Sequence, residues 1–145
     1  YVVPPLEGLW WVEAGGFDGM KITNKDKLCW ISMIRQPDFV TEAVFEQAKV
    51  NLKKKKPDLE TAKASFRTFE EGLCAQVMHT GPYDDEPEII RKLIDFIEES
   101  GYEQDMSDKR MHHEIYLGDP RKTKPENLKT VIRHPIRKKE NYLSC

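Results

Sequence analysis

The sequence predicts an α+β fold: duplicated strand-helix-strand-strand modules sharing an antiparallel sheet, with a ligand cleft between the modules and the first module lacking its N-terminal strand and helix. Three observations predict it. Period-two alternation recurs in several short runs, whereas the 3.6-residue apolar spacing of a helix recurs in only two. The run Met33-Ile34-Arg35-Gln36-Pro37 is matched by Val131-Ile132-Arg133-His134-Pro135, each at the end of a strand. Each copy also follows a strand that carries a carboxylate, Leu6-Glu7-Gly8-Leu9 before the first and His113-Glu114-Ile115-Tyr116 before the second. A repeat in this order reads as a duplicated module. Two modules side by side create a cleft on their pseudo-twofold axis, a usual place for a small-molecule pocket.

Each element has a local reason. Residues 1–11 read as a strand that Pro4-Pro5 restricts to an edge or a bend. Gly15-Gly16-Phe17-Asp18-Gly19 and Asn24-Lys25-Asp26-Lys27 are turn chemistry. Residues 28–35 alternate Leu28, Trp30, Ser32 and Ile34 against Cys29, Ile31, Met33 and Arg35, and Pro37 closes the strand. Thr41 is placed to cap a helix, with Glu42 in its first turn and Val40 able to staple onto Phe45. Phe45, Ala48 and Leu52 give that helix its stripe, and it stops before Pro57.

Residues 64–69 and 73–80 read as a hairpin about Glu70-Glu71-Gly72. The loop from Gly81 feeds a second helix, with Pro87 in its first turn and Ile90, Leu93, Ile94 and Ile97 on its buried face. Gly101 suits the position just past its end. Residues 112–117 form a strand stopped by Gly118-Asp119-Pro120. A polar turn at 122–127 leads to a last strand, 128–134, which Pro135 ends before a solvated tail containing Arg137-Lys138-Lys139-Glu140. The domain plan is one domain over 1–145: a partial first module at 1–57, a second module at 64–136 and a tail at 137–145.

Composition narrows the function classes. The 145 residues are 39% hydrophobic and 33% charged, the balance of a globular chain and of neither a disordered nor a membrane protein. A chain of this length buries about 68–70% of its unfolded surface. No apolar run reaches the length of a bilayer span. The net charge of −2 supplies no field that would draw nucleic acid. Lys53-Lys54-Lys55-Lys56 complements the dipole at a helix end. Cys29, Cys74 and Cys145 are odd in number and in no metal spacing, which points to reduced thiols and a cytoplasmic setting.

The candidate site starts from Glu114. Side chains two apart in a strand share a face, so His112, Glu114 and Tyr116 point one way and His113, Ile115 and Leu117 the other. On a solvated face Glu114 needs no explanation; on the inner face it needs a partner or a ligand. Tyr116 lies on its face, in reach of the same ligand. Trp10, Trp11 and Trp30 offer surfaces for planar or cationic molecules, with core packing as the alternative. Trp10 and Trp11 are adjacent and face opposite ways, so one of the pair meets solvent or a cleft. Tyr83 suits either the pocket rim or a packing anchor, and Glu7 either a second acidic wall or an exposed position. His112 and Glu114 invite a metal, but ligand counting disfavours one, and no cofactor is expected. His79, Arg35 and Arg133 read as strand-end partners.

Five segments carry a resemblance: Pro5-Leu6-Glu7-Gly8-Leu9-Trp10-Trp11, Ile34-Arg35-Gln36-Pro37-Asp38-Phe39-Val40, His79-Thr80-Gly81-Pro82-Tyr83, His113-Glu114-Ile115-Tyr116-Leu117-Gly118-Asp119-Pro120-Arg121 and Ile132-Arg133-His134-Pro135. In this order they resemble the GyrI-like small-molecule-binding domain, whose fold is shared with the effector-binding domains of multidrug-responsive regulators and the SOUL haem-binding proteins. The resemblance implies two βαββ-type modules about a ligand cleft, with Glu114 as its acidic residue. Through the Trp-rich first half the chain resembles the stand-alone branch. Some members of that branch hydrolyse the cyclopropane of DNA-alkylating natural products in an aromatic cage.

The expected function is therefore binding of planar aromatic or cationic small-molecule xenobiotics in an aromatic and acidic cleft. Hydrolysis would extend it, with Glu114 activating water and Tyr116 assisting. The alternatives are a protein-interaction module, such as a topoisomerase-shielding inhibitor, and a tetrapyrrole-binding protein. The expected partner is a small molecule, with neither nucleic acid nor membrane involved; the sequence leaves the oligomeric state open.

Overall fold

The computed structural model describes residues 1–12 and 27–140. The turn chemistry at 15–19 and 24–26, and Cys145, lie outside the described residues. The strands are β1 (Leu6–Val12), β2 (Leu28–Ile34), β3 (Cys74–Thr80), β4 (Tyr102–Gln104), β5 (His112–Tyr116) and β6 (Lys129–Lys138). The helices are α1 (Glu42–Lys55) and α2 (Glu86–Glu99), each of 14 residues. The class is α+β, with a six-stranded antiparallel sheet. Its main path runs β2-β1-β5-β6-β3, and β4 pairs with the end of β6. Among the described residues no helix is long and apolar enough to cross a membrane.

Arg35–Glu70 forms a small compact unit of its own. Thr41 caps α1, its hydroxyl accepting from the Val44 N–H at 3.4 Å, as its side-chain chemistry predicts. Residues 64–69 do not form the expected hairpin strand. Phe66 instead stacks on Phe45 of α1, with ring centroids 5.7 Å apart. The antiparallel partner of β3 is β6, from Cys74 opposite Pro135 to Thr80 opposite Lys129.

The larger unit holds the core. Ile90, Leu93 and Ile97 of α2 pack on Ala75, Ile132 and Ile136 of β3 and β6, with Val77, Ile89, Ile94 and Tyr102 around them. Each fully buried side chain of this kind contributes about 1.5–3 kcal/mol. Pro87 stands in the first turn of α2, where a missing N–H costs nothing. Gly101 follows its end with φ +81°, the left-handed conformation that lets the last carbonyls be satisfied.

The last strand does not stop at Pro135. The pairing of β5 with β6 runs to His113 opposite Arg133, and that of β4 begins at Gln104 opposite Ile136. Pro135 thus falls where β6 passes from one neighbour to the next, so its missing N–H breaks neither ladder. Its carbonyl still accepts from the Asp105 N–H at 2.8 Å. Arg137 and Lys138 belong to the strand and not to a free tail.

Candidate functional site

Register decides which side chains meet. Gly8 lies opposite Glu114, Trp10 opposite His112 and Leu6 opposite Tyr116 across β1 and β5. Trp30 lies opposite Trp10 across β1 and β2. Directly opposed residues share a face, so His112, Glu114, Tyr116, Trp10 and Trp30 all lie on the face that carries α2. The sequence left the choice between Trp10 and Trp11 open; Trp10 joins Glu114, and Trp11 is on the opposite face.

A hydrogen-bonded row crosses this face. The Trp10 indole Nε1–H donates to the Tyr116 hydroxyl at 2.9 Å. That hydroxyl donates to Glu114 Oε2 at 2.5 Å. Glu114 Oε1 lies 2.8 Å from His112 Nε2, and His112 Nδ1 lies 2.8 Å from His134 Nε2. The Trp10 and Trp30 rings lie 5.8 Å apart, with Trp30 58% exposed, and the Tyr83 ring meets Tyr116 edge-on at 6.1 Å. Gly8 is the floor. A Cβ there would fall 2.7 Å from Trp10 Nε1 and 3.2 Å from the Tyr116 hydroxyl, so only glycine lets the indole lie across the strand.

The electrostatics separate two carboxyl groups. Burial pushes Glu114 up, but the hydrogen bonds from His112 and Tyr116 outweigh it, and its pKa lies below the usual value. Burial, the Glu114 charge and the bond to it raise the Tyr116 phenol far above its ordinary range, so it remains a donor. Glu86, the first residue of α2, is buried and its Oε1 has no hydrogen-bond partner among the described residues. Burial first, then Glu114 and Asp84, raise its pKa to about 8. The Tyr83 phenol is raised by burial and by the same two acids, Glu86 and Glu114. The face therefore presents an ionised carboxylate and, at neutral pH, a protonated carboxyl.

An acid at a helix start ordinarily needs no explanation beyond the dipole, but Glu86 continues the stripe of Ile90, Leu93 and Ile97 back by one turn. A carboxylate at the head of a buried stripe is the signal that would have found it. Glu7 does not join the group. The matched repeat positions Ile34 and Ile132 pair with Leu6 and Glu114, so the counterpart of Glu114 is Leu6, one residue from Glu7. One residue of offset turns a side chain to the other face.

On that other face Glu7 Oε2 lies 2.8 Å from Nε2 of the buried His113, whose Nδ1 lies 2.6 Å from Glu71 Oε1. Arg133 completes this group, donating to Glu71 Oε2 at 2.6 Å and to Gln76 at 2.9 Å. His79 Nε2 meets the Pro82 carbonyl at 2.9 Å, the strand-end role read for it. All four histidines are buried and bonded to protein groups, so none is presented to a tetrapyrrole. Among the described residues no group of three or more His, Cys, Asp or Glu is arranged to hold a metal ion.

Comparison with known proteins agrees with this architecture. An uncharacterized conserved protein from Listeria innocua has a similar crystal structure, with TM-score 0.88 and 48% identity over 94% of this chain. A hydrolase from Listeria innocua superposes with TM-score 0.81 and 44% identity over 94% of this chain. A further Listeria innocua hydrolase gives 0.80 and 46% over the same share. The chain spans about 65% of the first of these proteins and 64% of the two hydrolases. No curated protein matches the sequence significantly. The model of the GyrI-like small molecule binding domain matches residues 2–137, and the chain belongs to that family.

Proposed function

We propose that the α2 face of β1, β2 and β5 binds planar aromatic or cationic small molecules, and that Glu114 and Glu86 hydrolyse those that carry an electrophilic cyclopropane. The observation that carries the reading is a Glu114 carboxylate held by His112 and Tyr116 on the face of Trp10 and Trp30, together with a buried Glu86 at the head of α2 whose Oε1 has no partner among the described residues and whose pKa burial raises to about 8. Two titratable groups driven apart by their surroundings suit general base and general acid. The aromatic rings supply stacking and cation–π attraction. The two hydrolases among the similar structures support the catalytic part.

For a spirocyclopropyl cyclohexadienone the step balances. A water oxygen bonds to the cyclopropane methylene while Glu114 takes its proton. The carbon–carbon bond to the spiro centre breaks, and its electron pair makes the ring aromatic. The former carbonyl oxygen takes a proton from Glu86, giving a phenol; solvent then removes the proton on Glu114 and returns one to Glu86. Tyr116 already donates to Glu114 and accepts from Trp10, so its part is to hold the base.

The repeat supports the further reading of two modules, 1–57 and 64–136, with this face beside their β1–β5 junction. The test of function is loss of the dienone absorbance in the presence of wild type and Glu114→Gln. The variant should lose about a hundredfold or more in rate and still bind the phenol product. Equal rates would remove Glu114 from the chemistry.

A further inference from the structure

Behind Glu114 lies a second, deeper shell that the reaction above does not use. His134 of β6 is 0% exposed and His112 of β5 is 2% exposed. They face each other by continuing the β5–β6 register one pair beyond His113 and Arg133. Their rings are 4.9 Å apart at 63°, with the 2.8 Å contact between His134 Nε2 and His112 Nδ1. The remaining ring nitrogen of His134, Nδ1, is buried and finds no partner among the described residues.

One hydrogen occupies the contact between the two rings. If His112 supplies it, a neutral His134 must carry its own hydrogen on Nδ1, a buried N–H with nowhere to go. If His134 supplies it, only a bare lone pair is left there. Buried unpaired N–H groups are the rarer and costlier of the two. Burial lowers the His134 pKa to about 3, so His134 does not escape the choice by taking a second proton.

We infer that His134 is a positioning residue: its Nε2–H donates to His112 Nδ1, which fixes the His112 hydrogen on Nε2 and aims it at Glu114 Oε1. Together with the Tyr116 hydroxyl on Oε2, this holds the carboxylate in one orientation as the base. The inference rests on the reading of Glu114 as base, but its first test does not need turnover. A partner that sets the tautomer of the next ring governs what that ring can donate.

The experiment is long-range proton–nitrogen NMR of the imidazoles in the full chain, for wild type, His134→Gln and His134→Leu. Gln offers an amide N–H close to the position of Nε2; Leu offers none. Wild type and His134→Gln should show His112 protonated on Nε2 with Nδ1 bare, and His134→Leu should lose that pattern. Hydrolysis of the spirocyclopropyl dienone should follow, with kcat down about tenfold or more in the Leu variant, KM little changed, and Gln restoring most of the rate. The inference is overturned if wild-type His134 carries its hydrogen on Nδ1, or if His112 keeps its tautomer in the Leu variant. Should the Leu variant fail to fold, the wild-type tautomers and the Gln rate decide alone. Absence of turnover in wild type with the tautomers as expected would sink the proposed chemistry and leave the positioning intact.

Discussion

Replacing Glu86 by Gln should abolish most of the fall in stability between neutral and mildly alkaline pH. A carboxyl whose pKa rises from 4.5 unfolded to about 8 folded binds more protons in the folded state between those values. Its contribution is complete below pH 4.5 and is lost as pH rises to about 8, at a slope of up to about 1.4 kcal/mol per pH unit. His134 acts in the opposite sense. Its pKa falls from 6.5 to about 3, so it contributes stability that is lost as pH drops through that range. The two slopes oppose each other from pH 4.5 to 6.5, and Glu86 acts alone from 6.5 to 8. The lowered carboxyls of Glu71 and Glu114 add to the His134 slope only on the acid side of 4.5. Wild type should therefore lose about 2 kcal/mol between pH 6.5 and 8, whereas Glu86→Gln should lose little. Urea denaturation followed by tryptophan fluorescence at pH 4.5, 6.5 and 8 reads both. Equal wild-type stability at 6.5 and 8, or the same fall in the variant, would refute the assignment of a buried, protonated Glu86.

Gly8→Ala has an ordinary strand backbone to occupy, so its cost comes from the 2.7 Å approach to Trp10 Nε1. Displacing the indole and its bond to Tyr116 should cost about 1–3 kcal/mol, read by chemical denaturation; a change too small to resolve would show that the indole has room to move. Arg110→Leu removes donors to the Glu71 and Leu73 carbonyls, at 3.3 and 2.6 Å, and the ion pair with Asp105. It should cost about 2–3 kcal/mol and speed amide exchange at the start of β3, and unchanged exchange there would count against Arg110 holding that end of the strand. Gly101→Ala has open space around it but a φ of +81°, so only the backbone resists. A loss of about 1 kcal/mol by thermal denaturation is expected, and a stabilised variant would contradict the reading.

The parts legible in the sequence are those where one local rule decides. Thr41 as a cap, Gly101 after α2 and the alternation of β5 follow from side chains within a few residues of one another. The parts that were not legible depend on distant partners. Pro135 ends a strand by any local rule, and only the change of neighbour along β6 lets the strand continue. Residues 64–69 have the composition of a hairpin strand, but Phe66 finds Phe45 and β6 takes the place beside β3. The repeat located a carboxylate strand yet misaligned Glu7 with Glu114 by one residue, enough to put Glu7 on the opposite face with His113. Acids at a helix start are usual, so the local pattern alone does not single out Glu86; its place at the head of the Ile90–Leu93–Ile97 stripe is what marks it as buried.

On the proposed function, aromatic small molecules bind on the face shared by Trp10, Glu114 and Tyr116. The adjacent tryptophans test it, since they lie on opposite faces of β1. Fluorescence titration of ethidium, a planar aromatic cation, against Trp10→Leu and Trp11→Leu compares the two faces in one assay. Trp10→Leu should weaken binding by about tenfold, about 1.4 kcal/mol of lost stacking and cation–π attraction, and Trp11→Leu should leave it near wild type. Equal losses in the two variants, or a loss confined to Trp11→Leu, would contradict it.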